Sequence, residues 1–377
     1  MLLLALAELR RAKLRFALLA GAIGLLVFLV LFQAALQQGL LTGFVGAIRN
    51  QSAPVLVYSV DGQRVLQASV IDPDLEQLVE STPEVGETGR IGQSTFTVTA
   101  GEKMADASII GFEVEGIGSP TTLVDGRLPA AAGEAVASEN DADAGFAIGD
   151  TVVVEPGGLE IAVVGLARDA QLSVTATLFV DYDTYLDAVA ARSPGGGEPL
   201  PNAIGVVPAD GVSDADAVAA VNAQDDRLDA LTRTDAADET PGVAQVQQSF
   251  RIIFALYGFV VPLVTGLFFL IVTVQKASSL TLLRAVGAPG RRLVGALLIQ
   301  VLIVVGVGVV VGTALFVPLV AADATSVTLR FDGRAIAGWA LLLVVLGMAS
   351  SVIAARRVTA IDPATAATGG STMRGAR

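Results

Sequence analysis

The sequence predicts a membrane protein, α-helical where it crosses the bilayer and α+β in one large extracytoplasmic domain. Three observations carry this. Mean hydropathy is +0.66, with 53% hydrophobic and only 16% charged residues, a profile foreign to soluble enzymes and to disordered chains. Four long apolar windows contain no Asp, Glu, Lys or Arg. The net charge of −13 divides into regions of opposite sign.

The elements follow in order. Residues 1–15 set Leu2, Leu6 and Leu9 among Arg10, Arg11, Lys13 and Arg15, the pattern of an amphipathic elbow helix lying in the headgroup plane. Residues 16–37 form the first span, since about 20 helical residues cross a hydrocarbon core of roughly 30 Å. This run is longer than the apolar part of a signal peptide, so a retained helix is expected. Residues 38–250 are soluble in composition and form the extracytoplasmic domain. Further spans are expected at 251–274, 293–320 and 335–355. They are joined by a cytoplasmic loop at 275–292 and a short outer loop at 321–334, and a cytoplasmic tail follows at 356–377.

Charge gives the orientation. The N-terminus, the 275–292 loop and the tail together hold twelve Lys/Arg against two acids, a net +10. Residues 38–250 hold nine Lys/Arg against 33 Asp/Glu, a net −24. Basic residues in short loops stay on the cytoplasmic side, so both termini and the 275–292 loop are expected inside and the large domain outside. A multi-pass protein of the cell membrane follows from the same plan.

Within the outer domain, strand patterns fall at Pro54–Val60, Thr95–Thr99, Ser108–Val114, Thr151–Glu155, Glu160–Leu166, Thr177–Val180 and Ala203–Val207. Helical spacing with acidic starts falls at Asp72–Glu80, Asp183–Ala191 and Asp214–Asn222.

The absence of Cys and His removes disulfides, Cys/His metal sites, His or Cys nucleophile/base catalysis and the usual haem ligands. Glu139-Asn140-Asp141-Ala142-Asp143-Ala144-Gly145 resembles the start of a calcium loop. Its glycine is one place late and Asp150 stands where a bidentate Glu is needed, so it is read as a solvated turn. The three lysines, Lys13, Lys103 and Lys276, follow Ala, Glu and Gln, so no Gly-Lys phosphate cradle exists. The chain is not expected to hydrolyse ATP or to bind a cofactor, and nothing in it points to nucleic acid. The apolar windows lack the intramembrane acids and bases of a proton or ion path. Gly308 and Gly312 form a small-xxx-small pair suited to close helix packing, within the chain or between copies.

The 275–292 loop is the most informative stretch. Leu280, Leu283 and Val286 make an apolar ridge that stops at Gly287 with Pro289 beyond, between cationic ends. Composition alone leaves a docking helix and an idle basic connection equally open. The stretch Gln275–Gln300, with its Leu283-Arg284-Ala285-Val286-Gly287-Ala288, resembles the signature of MacB/FtsX-type ABC transporter permeases. So do Gly126-Arg127-Leu128-Pro129 leading to Gly133-Glu134-Ala135-Val136, Ile148-Gly149-Asp150-Thr151-Val152, and Ile361-Asp362-Pro363-Ala364.

The resemblance implies a MacB-like periplasmic core domain outside. It also implies a coupling helix in which Ser279, Leu280, Leu283, Arg284, Ala285, Val286, Gly287 and Ala288 meet a groove of a cytoplasmic ATPase. Two ATPase copies, holding the ATP and Mg, would serve a homodimer of this chain in contact with membrane lipids. An extracytoplasmic adaptor protein fits the same plan. Size and layout are closest to the DevC/HrtB branch, whose members resemble exporters of glycolipid or haem. With no His or Cys in the chain, and Tyr257 but no Met near the outer membrane edge, the residues weigh against haem. The implied function is ATP-driven export by mechanotransmission of a lipid, lipopeptide or hydrophobic small molecule. An FtsX-like transducer controlling a cell-wall hydrolase is the alternative.

Overall fold

The computed structural model describes residues 13–193, 195–275 and 290–321, with scattered positions between 337 and 349. The chain divides into two compact units. One is Gly39–Gln248, and the other gathers the residues before and after it.

In the membrane unit the described helices are α1 (Lys13–Arg49, which continues into the outer unit), α6 (Val243–Gln275, which starts in the outer unit) and α7 (Gly290–Ala321). α1 and the Ile299–Leu319 stretch of α7 are long and apolar enough to cross a bilayer. Their core buries Phe16, Leu19, Ala20, Ile23, Val27 and Leu31, a three–four spacing that makes one face of α1. Against it lie Val301, Val304, Val305 and Phe316 from α7. The fourth span falls mostly outside the described residues, as do the elbow helix before Lys13 and the tail.

Among the described residues the outer unit has ten strands in one sheet system. They are β1 (Val55–Ser59), β2 (Val85–Ala100), β3 (Lys103–Phe112), β4 (Leu123–Gly126), β5 (Glu134–Ser138), β6 (Thr151–Glu155), β7 (Leu159–Ala167), β8 (Ala176–Asp181), β9 (Ala203–Pro208) and β10 (Leu228–Thr232). Helices α2 (Pro73–Glu80), α3 (Tyr182–Arg192), α4 (Asp214–Asn222) and α5 (Arg233–Asp238) intervene. The side chains of Asp181, Ser213 and Thr232 accept from Thr184, Asp216 and Asp235 amides and so start α3, α4 and α5.

Pairing sorts the strands into two lobes. The order β10-β1-β9-β2 is antiparallel throughout, and β1-α2-β2 with β9-α4-β10 gives the split βαβ arrangement of ferredoxin-like folds. The remaining strands are inserted between β2 and β9. All of them but β4 close a ring with β2, because β6 pairs with both β2 and β7 while β2-β3-β8-β5-β7 pair in turn, and β4 pairs outside the ring with β7. Alternation then gives each strand two jobs. In β1, Val55 and Val57 face Leu75, Val79 and Val221 of the first lobe's helices. In the ring, Phe96, Val98, Ile109, Val154, Ile161 and Leu178 fill the interior, capped by Tyr182 and Tyr185 of α3. The opposite faces, Leu56 and Tyr58 with Ile110, Phe112 and Phe179, share a third core with Val45, Ala47 and Ile48 of α1.

The strands differ from expectation in places. β2 runs Val85–Ala100 where only Thr95–Thr99 reads as strand, and β4, β5 and β10 carry no strand pattern the sequence reveals. Gly92 interrupts the β2 pattern for a packing reason. It pairs with Gly111 on β3, and a Cβ at either position would collide with Tyr185.

Candidate functional site

The place where α1 ends in the outer domain is the most elaborately built junction among the described residues. Val45 leaves helical geometry (φ −134°, ψ 15°). A regular helix would pair the Ala47 amide with the Gly43 carbonyl. Here the 168–175 loop between β7 and β8 takes both groups. Ala47 N donates to Gln171 O at 2.8 Å, and Gly43 O accepts from Val174 N at 2.7 Å. Ser173 N donates to Phe44 O at 3.0 Å, and Asn50 Nδ2 donates to Asp169 O at 2.8 Å. The loop thus replaces one turn of the helix ladder with its own. Gly46 is required there, since a Cβ would run into the Asp169 carbonyl.

A second node sits where the two lobes meet. Asn202 Oδ1 accepts from Gln93 N at 2.6 Å, and its Nδ2 donates to Ser69 O at 2.9 Å. Tyr185 OH donates to the same Oδ1 at 3.4 Å. Gln93 Nε2 donates to Ser108 Oγ at 2.9 Å, so this interior seam is polar and hydrogen-bonded. On the surface, Arg127 and Glu134 pair through two oxygens at 2.5 and 2.6 Å, and Ala130 and Ala131 amides also reach Glu134. The guanidinium and these amides hold the Glu134 carboxyl down to about 2.

The family model for the MacB-like periplasmic core domain matches residues 16–224, more than half of the chain. The chain belongs to that family. This MacB-like chain is similar to the periplasmic region of MacB from Actinobacillus actinomycetemcomitans, at 18% identity and TM-score 0.36, over 50% of this chain and 92% of that one. It is also similar to the extracellular domain of the noncanonic ABC-type transporter YknZ from Gram-positive bacteria, at 13% identity and TM-score 0.32, over 47% and 99% of the two chains. The resemblance to MacB/FtsX-type ABC permeases that the motifs carry therefore has the family match beneath it, on a chain with an N-terminal apolar helix.

The coupling residues expected from sequence, Ser279, Leu280, Leu283, Arg284, Ala285, Val286, Gly287 and Ala288, lie outside the described residues. Gly308 and Gly312 of α7 lie against α1. A Cβ at Gly308 would meet Ile23 Cγ2 at 2.6 Å, and one at Gly312 would meet Gly24 O at 2.6 Å. Gly21, on another side of α1, has nothing within 4 Å among the described residues.

The acidic stretch 139–145 needs correcting. It is a 3-10 turn closed by Gly145 at φ 98°, but Asp141 is not solvated. It is 8% exposed, and it accepts from Gln171 Nε2 at 2.6 Å and Thr177 N at 3.2 Å. Burial pushes its carboxyl up to about 6, against the pull of those two donors. Among the described residues no group of acids is placed to hold a metal ion. Sequence reasoning missed the α1 junction altogether. The one cue was the Gly43-x-x-Gly46 spacing past the first span, which reads equally as an ordinary helix end.

Proposed function

We propose that this chain is the membrane subunit of an ATP-driven ABC exporter, working as a homodimer with two copies of a separate cytoplasmic ATPase. The reading is carried by the family match over 16–224 on a chain whose first helix ends inside the core of the outer domain. A helix held in this way suits mechanotransmission, in which work done by the ATPases reaches the outer domain without a polar pore. Four spans with both termini inside complete the layout, in the manner of the DevC/HrtB branch. The ridge of Leu280, Leu283 and Val286 would seat in the ATPase, with Ser279, Arg284, Ala285, Gly287 and Ala288 framing it. The chain itself holds no cofactor; ATP and Mg belong to the partner. Apolar windows that hold no ionisable side chain within the spans fit a lipid, lipopeptide or hydrophobic small molecule as cargo, handed on with or without an extracytoplasmic adaptor.

Co-purification tests this. Leu283→Glu with Arg284→Glu should abolish recovery of the ATPase while the chain stays in the membrane fraction. ATPase recovery with that double variant would sink the coupling assignment. A wild-type chain that brings down no ATPase would sink the exporter reading itself.

A further inference from the structure

Gln171 is where two contacts meet. Its carbonyl accepts the Ala47 amide of α1, and its side chain donates to the buried carboxylate of Asp141. One residue therefore joins the end of α1 to an acid shut inside the outer domain. The loop that carries it is held in a costly backbone. Asp169, Ser173 and Val174 have φ of 53°, 55° and 56°, and for Val174, branched at Cβ, that region is a true outlier. Such a segment keeps its shape only while its contacts over-determine it. A small apolar pocket lined by Ala47, Ile48, Leu56, Ile110 and Phe179 lies beside the same helix end.

We propose that the 168–175 loop is a proton-sensitive clasp on α1: Asp141, acting through Gln171, sets how firmly the loop holds residues 43–50, and the hold loosens when Asp141 ionises. Ionised, Asp141 is held only by the Gln171 Nε2 and Thr177 N donors, and two neutral donors do not offset the burial of its charge, so the charged carboxyl is driven toward water and takes the loop contact with it. Charge on Asp141 is opposed by its burial, and no cation among the described residues offsets it. The ionisable groups on the elements around it are Glu139 and Asp143 on its own turn, Glu134 on β5 and Glu160 on β7. Asp181 on β8 and Arg168 and Asp169 in the loop complete the set. None of them forms an ion pair with Asp141.

The sign follows. Released into water, Asp141 returns to the ordinary carboxylate range, so the closed clasp binds the proton more tightly than the open one. Acid favours closure and neutral pH favours release. With its carboxyl at about 6 when closed, opening should be about tenfold more favourable near pH 7 than near pH 5. The use of the clasp in moving the outer domain rests on the exporter reading; its response to protons does not.

Hydrogen exchange on the full-length chain in lipid nanodiscs tests this, with rates corrected for the intrinsic pH dependence of exchange. Peptides covering 43–50 and 168–175 should open about tenfold more at about pH 7 than at about pH 5. Asp141→Asn should remove that slope, and Gln171→Ala should remove it from 43–50. Equal opening at the two pH values in the wild type overturns the proposal, as does a slope that survives Asp141→Asn. Adding the ATPase and nucleotide separates the two readings. A pH slope with no effect of nucleotide on 43–50 keeps the clasp and removes its part in transmission. A nucleotide effect with no pH slope removes the clasp and keeps the exporter.

Discussion

In the outer domain Gly92 and Gly111 hollow out two paired strands so that the Tyr185 ring can sink between them, whereas in the membrane unit Gly308 and Gly312 let α7 approach the backbone of α1. The same residue serves different forces. Outside, removing an aromatic ring from water is itself stabilising, and glycine supplies the hole. Within lipid the surroundings are as apolar as the side chains, so only close contact distinguishes packed helices from separated ones. A glycine of the first kind should be judged by the ring it admits, and one of the second kind by the distance it allows.

The comparison can be broken most forcefully at Gly92. Gly92→Val should cost at least about 3 kcal/mol, because the new side chain meets a ring with no space to retreat into. Thermal unfolding of the full-length chain, followed by tyrosine near-UV signal, would show it. Adding Tyr185→Ala should recover part of that loss, and a strictly additive pair would mean that the ring is not what glycine serves. Next in size is Asn202→Leu, expected to cost about 2–3 kcal/mol in urea unfolding by stranding the Gln93 amide and the Ser69 carbonyl in the interior seam. In the membrane unit Gly312→Leu should weaken α1–α7 association by about 1–2 kcal/mol in detergent denaturation. Gly21→Leu, pointing into open space, should change it by less than about 0.5 kcal/mol. Equal losses at Gly312 and Gly21 would remove the distinction drawn between the two sides of α1.

Much of the outer domain could be read in advance, and the reasons for the rest are physical. β6 and α4 have the expected bounds, Thr151–Glu155 and Asp214–Asn222, because their alternation or acidic starts are undisturbed. β5 escaped notice because Ala135, Ala137 and Ser138 around a single Val136 are small and carry little strand preference, their burial being imposed by neighbours on both sides. β10 is five residues long and carries Asp229, so tertiary pairing with β1 rather than local pattern makes it, and α5 is a six-residue helix whose only local mark is the Thr232 cap. The α1 junction was hidden for another reason. Its partners are more than a hundred residues away, and nothing local marks Gln171 or Asp141 as belonging with Ala47.

The closed ring of strands also has a bearing on how the chain comes together as it is made. Every strand of that ring has been synthesised once the ribosome has passed Asp181, so its interior can be sealed from a contiguous stretch. β1, by contrast, lies near the start of the domain and pairs with β9 and β10, with Val55 opposite Thr232. It must stand with both edges unpaired until β9 has been made, whereas the end of α1, to which it is tethered, meets the 168–175 loop before then.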